Sequence, residues 1–435
     1  MRKLLLSFTV LLISLNVKAQ TAEEKRLEKE LFDLPEVSFT KVSKSEDPFL
    51  KYMLKIKQPL DHQNPSKGYF YQRVQFTHHG FDRPTIMQTQ GYELYLGKNE
   101  LEIMLDANHL NIEHRFYGES KQDSLQWKYL TLEQATDDLH HINQLFKQLY
   151  KNKWISTGIS KGGQTTIFYK YFYPNDVDLS VPYVAPFNQS IEDKRIYRFL
   201  DSVGSPECRK KIMDLQILLL QNEDKVLEKL KWYAQGAGMT FKYLDNSLAK
   251  AFELAVLEFP FSFWQWGSIC EEIPQNQTLD SSLNYLLKVS SIEFLSDASM
   301  KKLGPHYYQA ATQMGYYGYN IEPLKKYIKQ FTSNPLASFS PKEAGPVKYS
   351  NDLNLKVNTF LKEKGNNFIY IYGGFDTWSA DRVTPSANVN SKVFIVPGKD
   401  HGKARVKYME ADMKADFCKK VEEIIGIKPD PSNLK

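Results

Sequence analysis

The sequence predicts an α/β fold: a mostly parallel sheet covered by helices on both faces and interrupted by a large helical insertion. Two observations predict it. Strand-like runs alternate with segments of helical spacing from about residue 51 to 190, and strand-like runs return near 366 and 391 before a final helical stretch. Between them the chain has long helical stretches, many aromatic residues and no clear strand. We therefore divide the chain into a first α/β part, 20–190, a helical cap, 191–344, and a second α/β part, 345–435.

The individual elements follow from local patterns. The helix of 131–150 opens with Thr131 and has Glu133 nearby, and the helix that begins at 162 must end near Pro174. Further helical stretches cover 208–236 and 404–426. Apolar runs bounded by turn residues predict strands within 51–60, 69–80, 84–92, 110–120, 153–158, 177–188, 366–374 and 391–398.

The amino terminus has the features of a secretory signal peptide over residues 1–19. Arg2 and Lys3 precede an apolar run, and small residues, Val17 and Ala19, lie before the expected cut. The apolar run is shorter than the roughly 20 residues that a membrane-spanning helix needs. We predict export without a membrane anchor on the mature chain. Residues 20–50 are charged, and we expect a loosely packed lead-in.

Composition excludes several other classes of protein. Hydrophobic residues make up 42% and aromatic residues 13% of the chain, enough for a sizeable core. The formal charge is +5, and it falls by three to +2 when Arg2, Lys3 and Lys18 leave with the signal peptide, so no nucleic-acid partner is predicted. There are three cysteines and no zinc-type spacing, so no metal and no cofactor is predicted. Cys208 and Cys270 are the pair we would expect in a disulfide, but the sequence leaves this open.

The stretch GISKG at residues 158–162 fits the pattern G-x-S-x-G, a nucleophile elbow between a strand and a helix. Such a turn is tight, so a side chain at Gly158 or Gly162 would clash with neighbouring backbone. The turn lifts the Ser160 hydroxyl above the sheet, and the backbone N–H of Lys161 faces a developing oxyanion. Because the motif is short, it indicates an α/β-hydrolase only if an acid and a histidine follow at the expected places in the chain.

Those partners follow in the chain order of an α/β-hydrolase, Ser, Asp, His. Asp376 comes just after one late strand and His401 just after the next. In this arrangement the histidine takes the serine proton and the aspartate orients the imidazole. Asp400 and Asp381 are alternative acids, but neither directly follows a strand. The alternative bases all precede Ser160 in the chain and are expected to be strand, loop or surface residues: His78, His79, His109, His114, His140 and His141.

A second oxyanion donor is expected in the loop after an earlier strand. The segment QTQGYELY at 88–95 occupies that place, and Gly91 and Tyr92 are the predicted contributors. The alternative is that Gly91 serves only as a turn residue.

Six segments of the chain carry a family resemblance: QTQGY (88–92), EHRFYGES (113–120), TGISKGGQTTIFYKYFYPNDVD (157–178), YVAPFN (183–188), YGGFDTWS (372–379) and GKDHG (398–402). With these segments the sequence resembles the secreted bacterial prolyl tripeptidyl aminopeptidases. EHRFYGES also resembles the Pro-X carboxypeptidase and dipeptidyl peptidase II group. The resemblance implies a Ser160–Asp376–His401 triad, a cap over the active site, secretion or a periplasmic location, and cleavage of peptide substrates beside proline.

An exopeptidase that reads a free amino terminus needs carboxylates a short peptide away from its nucleophile. Glu271 and Glu272, adjacent acids among aromatic residues, are candidates, although adjacent acids are commonly just solvated. Glu113 is a further candidate, with Arg115 pairing or loop ordering as its alternative. We predict that an aromatic wall for a proline ring is formed by Trp264, Trp266 and Trp378. The alternative is that these tryptophans are ordinary core residues.

The predicted function is a secreted serine exopeptidase that releases di- or tripeptides from peptide amino termini, with proline near the cut. A Pro-X carboxypeptidase-like peptidase, or an esterase or lipase, would need the same triad. A non-catalytic binding module on this scaffold would be expected to lack a triad residue, whereas all three are present.

Overall fold

The computed structural model describes residues 20–42, 48–333 and 339–434, so the predicted signal peptide lies outside the described residues. The described chain holds nine strands, all in one sheet. They are β1 (Val37–Lys41), β2 (Leu50–Pro59), β3 (Tyr69–His78), β4 (Thr85–Thr89), β5 (Asn108–Ile112), β6 (Trp154–Ile159), β7 (Leu179–Tyr183), β8 (Ile369–Gly373) and β9 (Lys392–Val396).

The sheet is mostly parallel. Its strand order is β1-β2-β3-β5-β4-β6-β7-β8-β9. The first three strands and β5 pair antiparallel, whereas β5, β4, β6, β7, β8 and β9 run parallel to one another. The strands β4, β5, β7 and β8 are buried along their whole length, as expected of a sheet covered on both faces. Because the carboxyl ends of parallel strands meet at one edge, the loops after β6, β8 and β9 share that edge.

The helices α1 to α12 are Ala22–Asp33, Glu100–Leu105, Leu132–Phe146, Lys161–Phe172, Arg195–Leu200, Pro206–Gln221, Glu223–Gly236, Leu248–Gln265, Leu279–Val289, Asp297–Gln309, Asp352–Glu363 and Ala411–Ile425. Alternate residues of β8 show that helices cover both faces of the sheet. Ile369 and Ile371 belong to a core with α2 and α12, whereas Tyr370 and Tyr372 belong to a core with α4 and α11. The helices α5 to α10 all lie between β7 and β8, and the described residues there contain no strand. The domain boundaries themselves stay a prediction.

The prediction of a loosely packed lead-in at 20–50 is wrong. Helix α1 buries Leu27 and Leu31 completely, and Leu34 is 5% exposed. Strand β1 then pairs antiparallel with β2 as the edge of the sheet. The leucines recur at the spacing of one face of a helix. The charged residues between them lie on the solvent side, and because they outnumber the leucines, the helical spacing was not recognised in the sequence.

Two predicted helices have different bounds in the structure. The helical stretch predicted at 208–236 consists of two helices, α6 and α7, separated at Asn222. The last helix begins at Ala411 rather than at 404, because Val406–Tyr408 forms a separate short 3-10 turn. Tertiary contact sets the second boundary, since the Glu100 carboxylate accepts hydrogen bonds from the Val406 and Lys407 backbone N–H groups.

The cysteine pair left open by the sequence is bonded in the structure. Cys208 lies in α6 and Cys270 in a short 3-10 turn after α8, and a disulfide joins them across a sequence separation of 62 residues. Cys418, in α12, is a buried free thiol. The disulfide therefore ties together two helical segments of the region between β7 and β8.

Replacing both bonded cysteines by alanine is expected to lower the free energy of unfolding by about 2–4 kcal/mol, since a cross-link of this length restricts the unfolded chain. Urea denaturation of wild type and the Cys208→Ala/Cys270→Ala variant measures the difference. A reductant should shift the wild-type curve and leave that of the double variant unchanged. Equal stability of the two proteins under oxidising conditions would contradict the prediction.

Candidate active site

The turn between β6 and α4 carries Ser160 in a strained backbone conformation. Its φ is 57° and its ψ is −123°, outside the regions that non-glycine residues ordinarily occupy. The predicted need for glycine is confirmed on both sides. A Cβ at Gly158 would lie 2.3 Å from the Gly162 carbonyl group, and a Cβ at Gly162 would lie 2.5 Å from the Thr89 carbonyl oxygen. Helix α4 starts directly after Ser160, so the serine lies at the helix amino terminus, above the carboxyl end of β6.

Asp376 and His401 meet at the same sheet edge, after β8 and β9. The His401 Nδ1 and the Asp376 Oδ2 are 2.8 Å apart. The Asp376 side chain is completely buried, and its Oδ1 accepts a hydrogen bond of 3.1 Å from the Trp378 backbone N–H. With Nδ1 engaged, Nε2 is the ring nitrogen left for another group. In the described part of the chain no hydrogen bond joins the Ser160 hydroxyl to this ring.

The alternative acids have other partners. The Asp400 Oδ1 accepts hydrogen bonds from the Gly402 and Lys403 backbone N–H groups, so it orders the turn beside His401. The Asp381 Oδ2 accepts a hydrogen bond from the Asn188 amide.

The alternative histidines bond elsewhere as well. Their partners are Tyr150 for His78, Asp106 for His79, Glu102 for His109, the Arg115 carbonyl for His114, Asp176 for His140 and Gln58 for His141. None of these contacts involves Ser160.

A small cavity of about 20 Å³ opens beside Ser160. Among the predicted residues, Ser160, Lys161, Tyr92 and Trp378 line it. The remaining lining residues were not predicted: Gln164, Pro186, Asn188, His306, Met314, Gly315 and Tyr316.

The predicted oxyanion loop packs directly on the elbow. A Cβ at Gly91 would lie 2.5 Å from the Lys161 Cβ, which explains glycine there. The Lys161 Nζ donates a 2.8 Å hydrogen bond to the Gly91 carbonyl oxygen. In a trans peptide the N–H points away from the preceding C=O, so this bond fixes the direction of the Tyr92 N–H. That N–H forms no hydrogen bond within the described residues, whereas the Tyr92 carbonyl accepts one from the His114 N–H.

The Lys161 side chain is buried, with 2% of its surface exposed. Its Nζ lies 5.6 Å from the centre of the Tyr92 ring and 5.8 Å from that of Tyr117. Burial lowers the pKa of Lys161 to about 7. Burial, together with the charge of Lys161, also lowers the pKa of His306 to about 3, so this histidine is neutral near pH 7.

Raising the pH above 7 is expected to stabilise the wild type relative to Lys161→Met. The folded chain loses the Lys161 proton near pH 7 and the unfolded chain near the ordinary lysine pKa of 10.5. Between these values the unfolded state binds more protons, so stability rises with pH by up to about 1.4 kcal/mol per unit. Urea denaturation at pH 7 and pH 9 measures the gain, up to about 3 kcal/mol over these two units. A constant difference between the two proteins would contradict the lowered pKa.

The predicted carboxylates lie away from the cavity wall. Glu271 and Glu272 are both exposed on a 3-10 turn, and Glu272 forms an ion pair of 2.9 Å with Lys288. Glu113 is 1% exposed and orders its own loop. Its oxygens accept hydrogen bonds from the Leu94, Glu119 and Ser120 backbone N–H groups and from the Ser120 hydroxyl. Their position gives no support for substrate binding by these three acids.

Arg115 does not pair with Glu113. Its guanidinium forms a buried two-pronged ion pair with Asp138, with both N–O distances at 2.7 Å.

The three predicted tryptophans lie in different places. Trp378 lines the cavity and is 7% exposed. Trp264 is buried in the core of the helical segment, 5.5 Å from the Phe375 ring. Trp266 is 61% exposed, and its ring lies 5.8 Å from that of His401. The three therefore do not form one continuous wall.

A parallel sheet with a strained serine after β6, an aspartate after β8 and a histidine after β9 defines an α/β-hydrolase. The chain belongs to the PS-10 peptidase S37 family, which it matches over residues 22–433. It is therefore a serine peptidase, and the resemblance drawn from its segments is confirmed. A relative is the prolyl tri/tetrapeptidyl aminopeptidase of Streptomyces mobaraensis, with 30% identity over 421 residues, 94% of this chain and 87% of the relative.

Similar solved structures include the proline iminopeptidase of Mycobacterium smegmatis, with 13% identity, coverage of 86% of this chain and 97% of that one, and a TM-score of 0.36. An esterase from Thermogutta terrifontis shares 11% identity over 85% of this chain and 99% of its own, with a TM-score of 0.35.

Proposed function

We propose that the protein is an exported serine exopeptidase that releases short peptides from peptide amino termini, with proline near the cut. The observation that carries this proposal is the strained Ser160 beside a small cavity, on the sheet edge where the His401–Asp376 pair also lies. The name of the Streptomyces relative supports the substrate class.

In the proposed reaction the Ser160 Oγ attacks the carbonyl carbon of the peptide bond. His401 takes the serine proton at Nε2 and passes it to the leaving amine, while Asp376 holds the imidazole by Nδ1. The backbone N–H groups of Lys161 and Tyr92 donate to the oxyanion of the tetrahedral intermediate. Water then gives a proton to His401 and attacks the carbonyl carbon of the acyl-enzyme. The Ser160 Oγ leaves and recovers that proton, and the short peptide is released with a free carboxylate.

The cavity supplies the specificity in this proposal. Trp378 and Tyr316 provide aromatic surface beside Ser160, their ring centres 5.6 Å apart. A proline ring is small, rigid and apolar, and so suits this aromatic lining. His306, kept neutral by burial, adds no charge that would oppose such a group.

Export is proposed on the amino-terminal sequence and on the disulfide. Disulfides persist in oxidising compartments such as the bacterial periplasm or the cell exterior, where Cys208–Cys270 would remain formed. No helix in the described ranges has the length and apolar character needed to cross a membrane.

Mass spectrometry of peptide products tests the proposal. A proline-containing peptide is offered with a free amino terminus and an amidated carboxyl terminus, and again with an acetylated amino terminus and a free carboxyl terminus. Release of a short amino-terminal peptide from the first substrate alone is the expected result. Cleavage of the second alone would instead establish a carboxypeptidase and overturn the proposal. A p-nitrophenyl acyl ester serves as the control for general hydrolase activity.

A further inference from the structure

Trp266, the residue directly after helix α8, combines high exposure with a place beside the proposed base. It exposes 61% of its surface, whereas Trp264, two residues earlier, is 4% exposed. Its ring lies 5.8 Å from the His401 ring, at an interplanar angle of 74°. Single exposed apolar side chains are common on protein surfaces, but one that stands beside a reacting group can contact whatever binds there. The indole is therefore open to solvent and close to the imidazole at once.

The backbone around Trp266 is tied to the turn that carries His401. The His401 N–H donates a hydrogen bond of 3.0 Å to the Gln265 carbonyl oxygen. On the other side of the tryptophan, Gly267 has a φ of 73°, and a Cβ there would lie 2.3 Å from the Asp400 Oδ2. Glycine thus lets the chain pass this close to the turn. These contacts keep Trp266 in place relative to the imidazole.

The proposed reaction determines which part of the substrate comes near His401. Its Nε2 gives the proton to the leaving amine, so that nitrogen must come within about 3 Å of the ring. The side chain of the residue after the cut begins two bonds further on, each about 1.5 Å long. A ring centred 5.8 Å from that of His401 is within reach of such a side chain. Trp266 is therefore placed to contact the residue after the cut.

The cavity beside Ser160 is a separate aromatic site. In the described part of the chain its lining includes Trp378 and Tyr316 but neither His401 nor Trp266. The groups on the two sides of the cut thus meet different aromatic surfaces. Because Trp266 is exposed, the rest of a long peptide can continue from it into solvent, as cleavage near an amino terminus requires.

We propose that Trp266 is the specificity-determining residue for the amino acid that follows the cut, and that it favours a large apolar or aromatic side chain there. The inference rests on the proposed function, because it takes His401 as the group that protonates the leaving amine. An indole offers a broad apolar face, and a pair of aromatic rings gains more than the area that it buries. Glycine at the same position of the substrate has no side chain to place against the ring.

The test uses two proline-containing peptides with free amino termini that differ only in the residue after the cut, phenylalanine or glycine. Trp266→Ala is expected to lower kcat/KM about tenfold on the phenylalanine peptide and less than twofold on the glycine peptide. Trp266→Phe keeps an aromatic ring and should retain most of the preference. The matched control is Trp232→Ala, which removes a tryptophan of α7 that is 73% exposed. It should leave both values unchanged.

Acyl transfer measures the same contact in the wild type alone. During cleavage of the glycine peptide, added phenylalanine amide or glycine amide competes with water for the acyl-enzyme. Because the reverse reaction passes through the same transition state, the acceptor amide takes the place of the leaving residue. At equal concentrations of free amine, phenylalanine amide should be acylated about tenfold faster than glycine amide. Equal rates would overturn the inference, even if Trp266→Ala did not fold.

A role in supporting His401 predicts a different result. Fluorophosphonate labelling of Ser160 releases fluoride, which carries no residue after the cut, so Trp266→Ala should be labelled at the wild-type rate. Slower labelling with an equal loss on both peptides would mean that the ring only holds His401, and would overturn the inference. If wild type cleaves both peptides equally well, the role of Trp266 is overturned and the exopeptidase stands. If wild type releases no amino-terminal peptide from either, the exopeptidase proposal fails and the inference with it.

Discussion

Ser160→Ala is expected to abolish covalent labelling by a fluorophosphonate and to lower kcat on a peptide substrate by about 10⁶-fold. The reason is the loss of the only atom in the proposed site that forms the acyl bond. Stability should hardly change, because alanine has the same Cβ and is strained to the same degree at a φ of 57°. Labelling followed by intact-mass measurement, with thermal unfolding alongside, checks both parts.

The control for this result is Ser66→Ala, which removes an exposed serine from the turn at 64–68. The Ser66→Ala variant should be labelled by the fluorophosphonate and should cleave the peptide substrate as the wild type does. If Ser160→Ala were still labelled at one equivalent, another residue would be the nucleophile and the elbow would be a structural turn.

The α/β parts were predictable because their strands are buried on both faces. Such strands read as short continuous apolar runs, and β4, β7 and β8 all lie where those runs predicted them. The elbow was predictable for a different reason. Backbone atoms lie within 2.3–2.5 Å of where a Cβ would stand at its two glycines, so glycine is required there. The glycines of this short motif therefore indicate the tight turn.

Two elements near the amino terminus, α1 and β1, were not predicted from the sequence. Helix α1 has a charged solvent face, and its buried face rests on only a few leucines, among them Leu27 and Leu31. Strand β1 lies at the sheet edge and has no fully buried residue. Neither segment has enough apolar residues to stand out, and both are stabilised by pairing or packing with β2, which is a tertiary effect.

The binding residues were the least predictable part of the site. The predicted acids Glu271 and Glu272 are both exposed, and Glu272 is paired with Lys288. The cavity instead brings His306 and Tyr316 beside Ser160, from a segment far along the chain, a contact that only folding creates.

Asp376→Asn is expected to lower kcat by about 10⁴-fold with little change in the structure. The Oδ1 of Asp376 accepts a hydrogen bond from the Trp378 N–H, and its Oδ2 faces the His401 Nδ1. An asparagine would give its carbonyl oxygen to the Trp378 N–H, which leaves its NH₂ group facing the imidazole. That NH₂ can only donate, so Nδ1 must become the acceptor and the ring proton must move to Nε2. In that tautomer Nε2 cannot take the proton of Ser160.

Steady-state kinetics of Asp376→Asn beside Asp400→Asn separate the two neighbouring acids. Within the described residues Asp400 bonds to turn N–H groups and to Lys403, so its amide variant should keep kcat within roughly tenfold of wild type. Fluorophosphonate labelling should slow in Asp376→Asn in parallel with kcat, because both reactions need the same proton transfer from Ser160. A larger loss in Asp400→Asn than in Asp376→Asn would reassign the acid to the residue beside His401. An unchanged labelling rate in Asp376→Asn would mean that Ser160 is activated without this pair.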